Sequence, residues 1–135
     1  MSKGNTLENQ VVALVFNATA LPWSNVNLFV ALHTADPGEA GDQTTNEATY
    51  TGYARVSVAR DSGGWTVSGN RASNTAEITF AECTGGSNTI THVSVGLASS
   101  GASPILYKGA LTAAINVSNL ITPRFPADTL RVEED

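Results

Sequence analysis

Two histidines, one cysteine and a run of loop carboxylates are the residues of this chain whose types could do chemistry. His33 or His92 could act as a general base for a serine, given a positioned Ser and a carboxylate near the imidazole. No G-x-S-x-G elbow is present, and both histidines fall in strand-like alternation, where an imidazole is commonly a hydrogen-bonded core group. No catalytic residue is assigned, and the chain is expected not to be an enzyme. Cys83 is the sole cysteine, so no intrachain disulfide can form; it reads as a small buried hydrophobe. No two of His, Cys, Asp and Glu stand at a zinc spacing. Asp36, Glu39, Asp42 and Glu47 crowd one segment, yet they lack the alternation and terminal Glu of a calcium loop and read as a solvated acidic loop. The glycines punctuate turns and do not open a helix, so no phosphate or dinucleotide cradle is expected. Metal and cofactor are both assigned as none. Trp23, Trp65, Tyr50, Tyr53 and Tyr107 are available for stacking on a sugar; Trp65, directly after Gly63-Gly64, reads more readily as a cap on the core. Asn17-Ala18-Thr19 and Asn116-Val117-Ser118 match the glycosylation pattern by chance, since no secretory leader is evident.

The bulk properties set the frame for those residues. At 135 residues the chain amounts to one domain, large enough for a core without staples. Only 14% of residues are charged, and Thr, Ser, Asn, Gly and Ala fill the difference, which suits strands, tight turns and a surface covered by neighbours. The net charge is −5 and the seven basic residues are scattered, so nucleic acid is not the expected partner. No stretch approaches the length of a membrane span.

The elements follow from periodicity. Leu7, Val11, Leu14, Val15 and Ala18 form one apolar stripe of a helix, with Asn5 and Glu8 placed as a capping box and Pro22 ending the pattern. This helix either plugs the end of its own β-domain or docks on a neighbour. From Asn27 the period becomes two. Leu28, Val30 and Leu32 alternate with Phe29, Ala31 and His33, and both faces are largely apolar, as in a central strand. Asp36-Pro37-Gly38 then opens a long polar loop through Asn46. Further strands are expected at 53–58, 65–68, 75–80, 92–97, 105–107, 111–117 and near Leu130 and Val132. Asp61 to Gly64 is read as a hairpin turn and Gly69-Asn70 as another. The fold class is mainly β: a β-sandwich or jelly roll of about eight strands with one N-terminal helix. The organisation is a single domain over 1–135, with an arm or helix over 1–22 and the sandwich over 23–135.

The block Leu28-Phe29-Val30-Ala31-Leu32-His33-Thr34-Ala35-Asp36-Pro37-Gly38 resembles a signature of small virion proteins of tailed bacteriophages, described variously as tail-fibre, head-decoration or cement proteins. The likeness continues in Gly52 to Val56, Ser73 to Phe80, Thr91 to Val93 and Leu106 to Leu111. It implies a non-enzymatic structural subunit of a virion, made in the host cytoplasm. Within that family the short chain favours a capsid decoration or cement protein on the capsid surface. Its partners would be the major capsid protein and copies of itself, as a homodimer or trimer, with no nucleic acid and no membrane. The alternative is a tail or tail-fibre component that binds a receptor. Asp36, Pro37, Gly38, Glu39, Asp42 and Glu47 form the expected intersubunit contact loop. With so little charge, its interfaces are expected to be only mildly salt-sensitive.

Overall fold

The computed structural model describes residues 1–135. The chain is mainly β, with one N-terminal helix, and every strand pairing is antiparallel. The strands are β1 (Ser2–Lys3), β2 (Asn27–His33), β3 (Val56–Ala59), β4 (Trp65–Ser68), β5 (Arg71–Asn74), β6 (Ile78–Thr79), β7 (Asn88–Gly96), β8 (Ile105–Val117), β9 (Arg124–Phe125) and β10 (Arg131–Glu133). They form a five-stranded sheet in the order β1-β8-β7-β2-β3, a three-stranded sheet β10-β5-β4 and a two-stranded ribbon β6-β9. The count of ten differs from the expected eight because β1, β5 and β9 are additional strands, while the expected strands at 105–107 and 111–117 are one.

β2 is interior to its sheet, flanked by β7 and β3. Val30 and Leu32 face a core cluster shared by all three sheets, which includes Trp65, Ile78, Phe80, Val93, Val95 and Phe125. The opposite face of β2, with Ala31 and His33, is also buried, so the expectation of a strand covered on both sides holds. Aromatic packing runs through the core: Tyr53 stacks on Phe80 at 6.4 Å, and Phe80 meets Phe125 edge-on at 6.1 Å.

Three local readings need correction. Asp61 to Gly64 does not close a hairpin, because β3 pairs with β2 and β4 with β5; the turn carries the chain from one sheet to the next. Asp61 Oδ1 accepts from the Gly63 and Gly64 amides, and a Cβ on Gly64 would lie 2.0 Å from the Ala59 carbonyl oxygen, so only glycine fits there. Residues 105–107 and 111–117 are not separate strands. They belong to the one strand β8, whose register against β7 slips between the pairs Ile90↔Ile115 and His92↔Ala110, leaving Leu111 to Ala114 as a bulge. The expected strand at 75–80 shortens to β6. Gly69-Asn70 is a two-residue hairpin loop between Ser68 and Arg71, with Gly69 at φ +60°.

The helix α1 (Asn5–Asn17) starts one residue earlier than a capping box at Asn5 requires. Gly4 is the N-cap, with no side-chain cap, and the Glu8 amide donates to the Gly4 carbonyl. α1 ends at Ala18, at φ +52°, and the Thr19 amide closes back on the Ala13 carbonyl.

Candidate functional site

The strand register places the two histidines opposite each other, His33 on β2 against His92 on β7. His33 Nδ1 lies 2.8 Å from the Thr45 carbonyl oxygen, which can only accept, so Nδ1 carries the proton. Nε2 then accepts from the Ser94 hydroxyl at 2.7 Å. Ser94 Oγ in turn accepts from Gln43 Nε2 at 3.2 Å, and the same amide donates to the Phe29 carbonyl at 2.9 Å. A Ser–His hydrogen bond of this length is the geometry of a nucleophile and its base. Here both residues, and Gln43, have no exposed surface, so no substrate reaches the hydroxyl. Both His33 nitrogens are committed, which leaves no lone pair for a metal. Burial pushes the His33 pKa below its ordinary value, in keeping with a neutral imidazole. The network is a tie between β2, β7 and the loop that follows β2. His92, half-buried, meets only the Thr91 hydroxyl at 2.8 Å.

That loop, 34–47, is drawn onto its own domain. Glu47 pairs with Arg55 through both carboxylate oxygens, at 2.7 and 2.9 Å, and accepts from the Tyr53 hydroxyl at 2.9 Å. Arg55 also donates to the Ala98 and Gly101 carbonyls at 2.9 and 2.7 Å. Burial works against the Arg55 charge, but the Glu47 contact outweighs it and holds its pKa up. Burial likewise pushes the Tyr53 hydroxyl up. Asp42 caps the Thr44 amide, and Asp36 caps the Gly38 amide and pairs with Lys108 at 3.0 Å. Pro37 is buried and Gly38 turns at φ +74°. Of the six loop residues read from the sequence, Asp36 and Glu39 keep exposed side chains. They do not converge on a common point that could hold a cation.

Two substantial clefts open on the surface. One, of about 790 Å³, lies beside the β8 bulge and holds Lys108, Arg124 and Arg131, each already paired with a carboxylate: Asp36, Glu77 and Asp128. The other, of about 640 Å³, is a mainly apolar groove lined by Leu28, Trp65, Val67, Val95 and Val132. The aromatic residues considered for sugar stacking are all covered in whole or part. Trp65 and Tyr50 are buried, Tyr53 and Tyr107 half-buried, and Trp23 lies under the Arg60 guanidinium at 5.1 Å while donating to Gln10.

The surface feature that stands apart is α1. Leu7 is its one buried residue, whereas Val12, Val15 and Phe16 are 57%, 65% and 79% exposed. The expected stripe through Val11, Leu14 and Val15 is only partly covered, and Ala18 is exposed. Val12 and Phe16 fell outside that stripe. The unbroken run Val11-Val12-Ala13-Leu14-Val15-Phe16, apolar on every side, was the signal for them.

With no accessible chemical site and a large apolar helix face, the arrangement suits association. The chain matches the family model described as podophage GP4 fiber I protein gp80 over residues 2–133. It belongs to that family. No curated protein matches it. Members of the family are phage virion structural proteins of the fibre class, so this chain is a virion component and not an enzyme. The family description names a fibre and gives no support to a capsid decoration role, which corrects the preference for head over tail drawn from chain length.

Proposed function

We propose that the protein is a structural subunit of a phage tail fibre, acting through its place in the assembly. The observation that carries this reading is the family match, which spans all but the ends of the chain. The features that suggested a cement protein, namely small size, low charge and a β-rich body, serve a fibre subunit equally well. Within this reading its partners are copies of itself and the tail proteins it joins. The major capsid protein would be the partner only if the subunit decorated the shell. The exposed carboxylates of Asp36 and Glu39 are where the acidic loop could meet a neighbour. The covered Trp and Tyr rings favour a scaffolding role over recognition of a receptor sugar. Gold-labelled antibody against the chain, imaged on intact virions, tests the proposal. Label confined to the tail region supports it, and label spread over the shell refutes it.

A further inference from the structure

We infer that the outer face of α1, centred on Val12, Val15 and Phe16, is a self-association surface whose occupant is the same helix face of a second copy of this chain. The three residues stand at i, i+3 and i+4 and form one outward patch, flanked by the partly exposed Val11 and Leu14. A fully free Phe side chain offers ~200 Å² and each aliphatic one somewhat less, so at their exposures Val12, Val15 and Phe16 present on the order of 350 Å², and Val11 and Leu14 raise this to roughly 450 Å². That lies within the ~300–600 Å² found for the largest patch of a monomer, a size often functional, and is about half of the ~800 Å² that each partner buries in a standard interface.

The charges identify the occupant. From Asn9 to Ala35 there is no Asp, Glu, Lys or Arg, and between Lys3 and Arg55 there is no Lys or Arg. A surface built for anionic lipid or an acidic protein would carry cations beside the apolar residues. One built for a basic partner would carry more than the single Glu8. A chain of net charge −5 repels its own copies, and the face on which copies can meet is the one without charge. A closed two-fold contact requires a patch complementary to itself, which an uncharged apolar helix face supplies.

The helix is also held ready. Gly4 and Asn5 amides donate to the Leu106 and Glu39 carbonyls, and β1 pairs with β8, so the N-terminal end of α1 is anchored on both sides. The Trp23–Gln10 hydrogen bond ties the returning chain to the helix. A second copy therefore meets a preformed face, with little ordering cost.

The test uses the full chain and does not depend on where it sits in a virion. Light scattering at high concentration should give a mass that is a multiple of 14.0 kDa, and V15D/F16D should return a folded monomer whose melting temperature, unlike the parent's, does not change with protein concentration. Single cysteines V12C, V15C and F16C should give covalent dimers on mild oxidation, whereas V67C on β4, a site 72% exposed in the parent, should not. Buried Cys83 leaves the parent chain as the control. A monomeric parent, an oligomer indifferent to V15D/F16D, or cross-linking at the helix no greater than at Val67 would each overturn the inference. So would a parent that stays monomeric while α1 binds another virion protein.

Discussion

Replacing Asn74 should cost the fold more than any other polar substitution of its size. This side chain, at the end of β5, is 1% exposed. Its Nδ2 donates to the carbonyls of Ala76, Phe125 and Pro126 at 2.8, 3.3 and 3.0 Å. Its Oδ1 accepts from the amides of Thr129 and Leu130 at 3.2 and 2.9 Å. One amide group thus holds the backbone from Phe125 to Leu130 against β5. Asn74→Ala strands the buried Leu130 amide, whose desolvation alone costs ~1–3 kcal/mol, and releases three carbonyls as well. The total should be about 3–5 kcal/mol, against a stability of ~5–15 kcal/mol for a domain. Thermal unfolding should fall by roughly 10–20 °C.

Asn74→Asp separates this account from simple loss of packing. The carboxylate keeps the acceptor side but turns negative oxygen toward three carbonyl oxygens. Its proton is then held more tightly in the folded than in the unfolded chain, so the variant's deficit relative to the parent grows as pH rises from the ordinary carboxyl range toward neutrality. Urea unfolding of parent, N74A and N74D at acidic and neutral pH measures it. An N74A loss under ~0.5 kcal/mol, or an N74D variant matching the parent at neutral pH, would refute the reasoning.

Three further outcomes follow from the buried ties. Because burial lowers the His33 pKa, the unfolded chain binds that proton first on acidification; stability should fall as pH drops below about 6.5, by at most ~1.4 kcal/mol per pH unit, and H33Q should flatten that slope in denaturant titrations. R55K keeps the charge but loses the two-pronged contact with Glu47 and the bonds to Ala98 and Gly101; a loss of ~1–3 kcal/mol is expected, with faster hydrogen exchange over 97–103, and unchanged exchange there would count against the tie. G96A places a Cβ 2.3 Å from Gln43 Cδ, so Gln43 must leave Phe29 and Ser94; a cost of ~1–3 kcal/mol on the melting curve is expected, and a neutral substitution would show that the Gln43 tie carries no stability.

Hydrophobic period made much of this fold legible. Leu28 to His33 reads as a strand covered on both sides because neither face is polar, and β2 is that strand. Gly69-Asn70 reads as a turn because only a residue tolerant of positive φ closes a two-residue loop. Local pattern does not report pairing across sheets, however. Asp61 to Gly64 has hairpin composition, yet the strands on either side join different sheets. The β8 bulge looks like a gap between strands for the same reason: three extra residues relax the register without ending the strand. In α1 the stripe read from spacing meets the body only through Leu7, because spacing alone does not say which side of an apolar helix packs inward. The anchoring of Gly4 and Asn5 decides it, and the face left outward includes Val12 and Phe16.

The buried polar residues bear on why such a subunit suits an assembly. His33 with Gln43 holds the loop after β2, Arg55 holds the residues after β7, and Asn74 holds the segment between β9 and β10. An apolar core would have allowed those connections several packings of similar energy. A hydrogen-bonded amide or guanidinium accepts few arrangements, since each alternative leaves a buried donor unpaired. A subunit repeated in a fibre must present the same surface in every copy, because a loop with two conformations would offer neighbours two different contacts. The ties therefore act on shape rather than on chemistry. They also explain how Val12, Val15 and Phe16 can stay exposed on a helix at the edge of the domain: the body is held by its own core and polar ties and does not need that face.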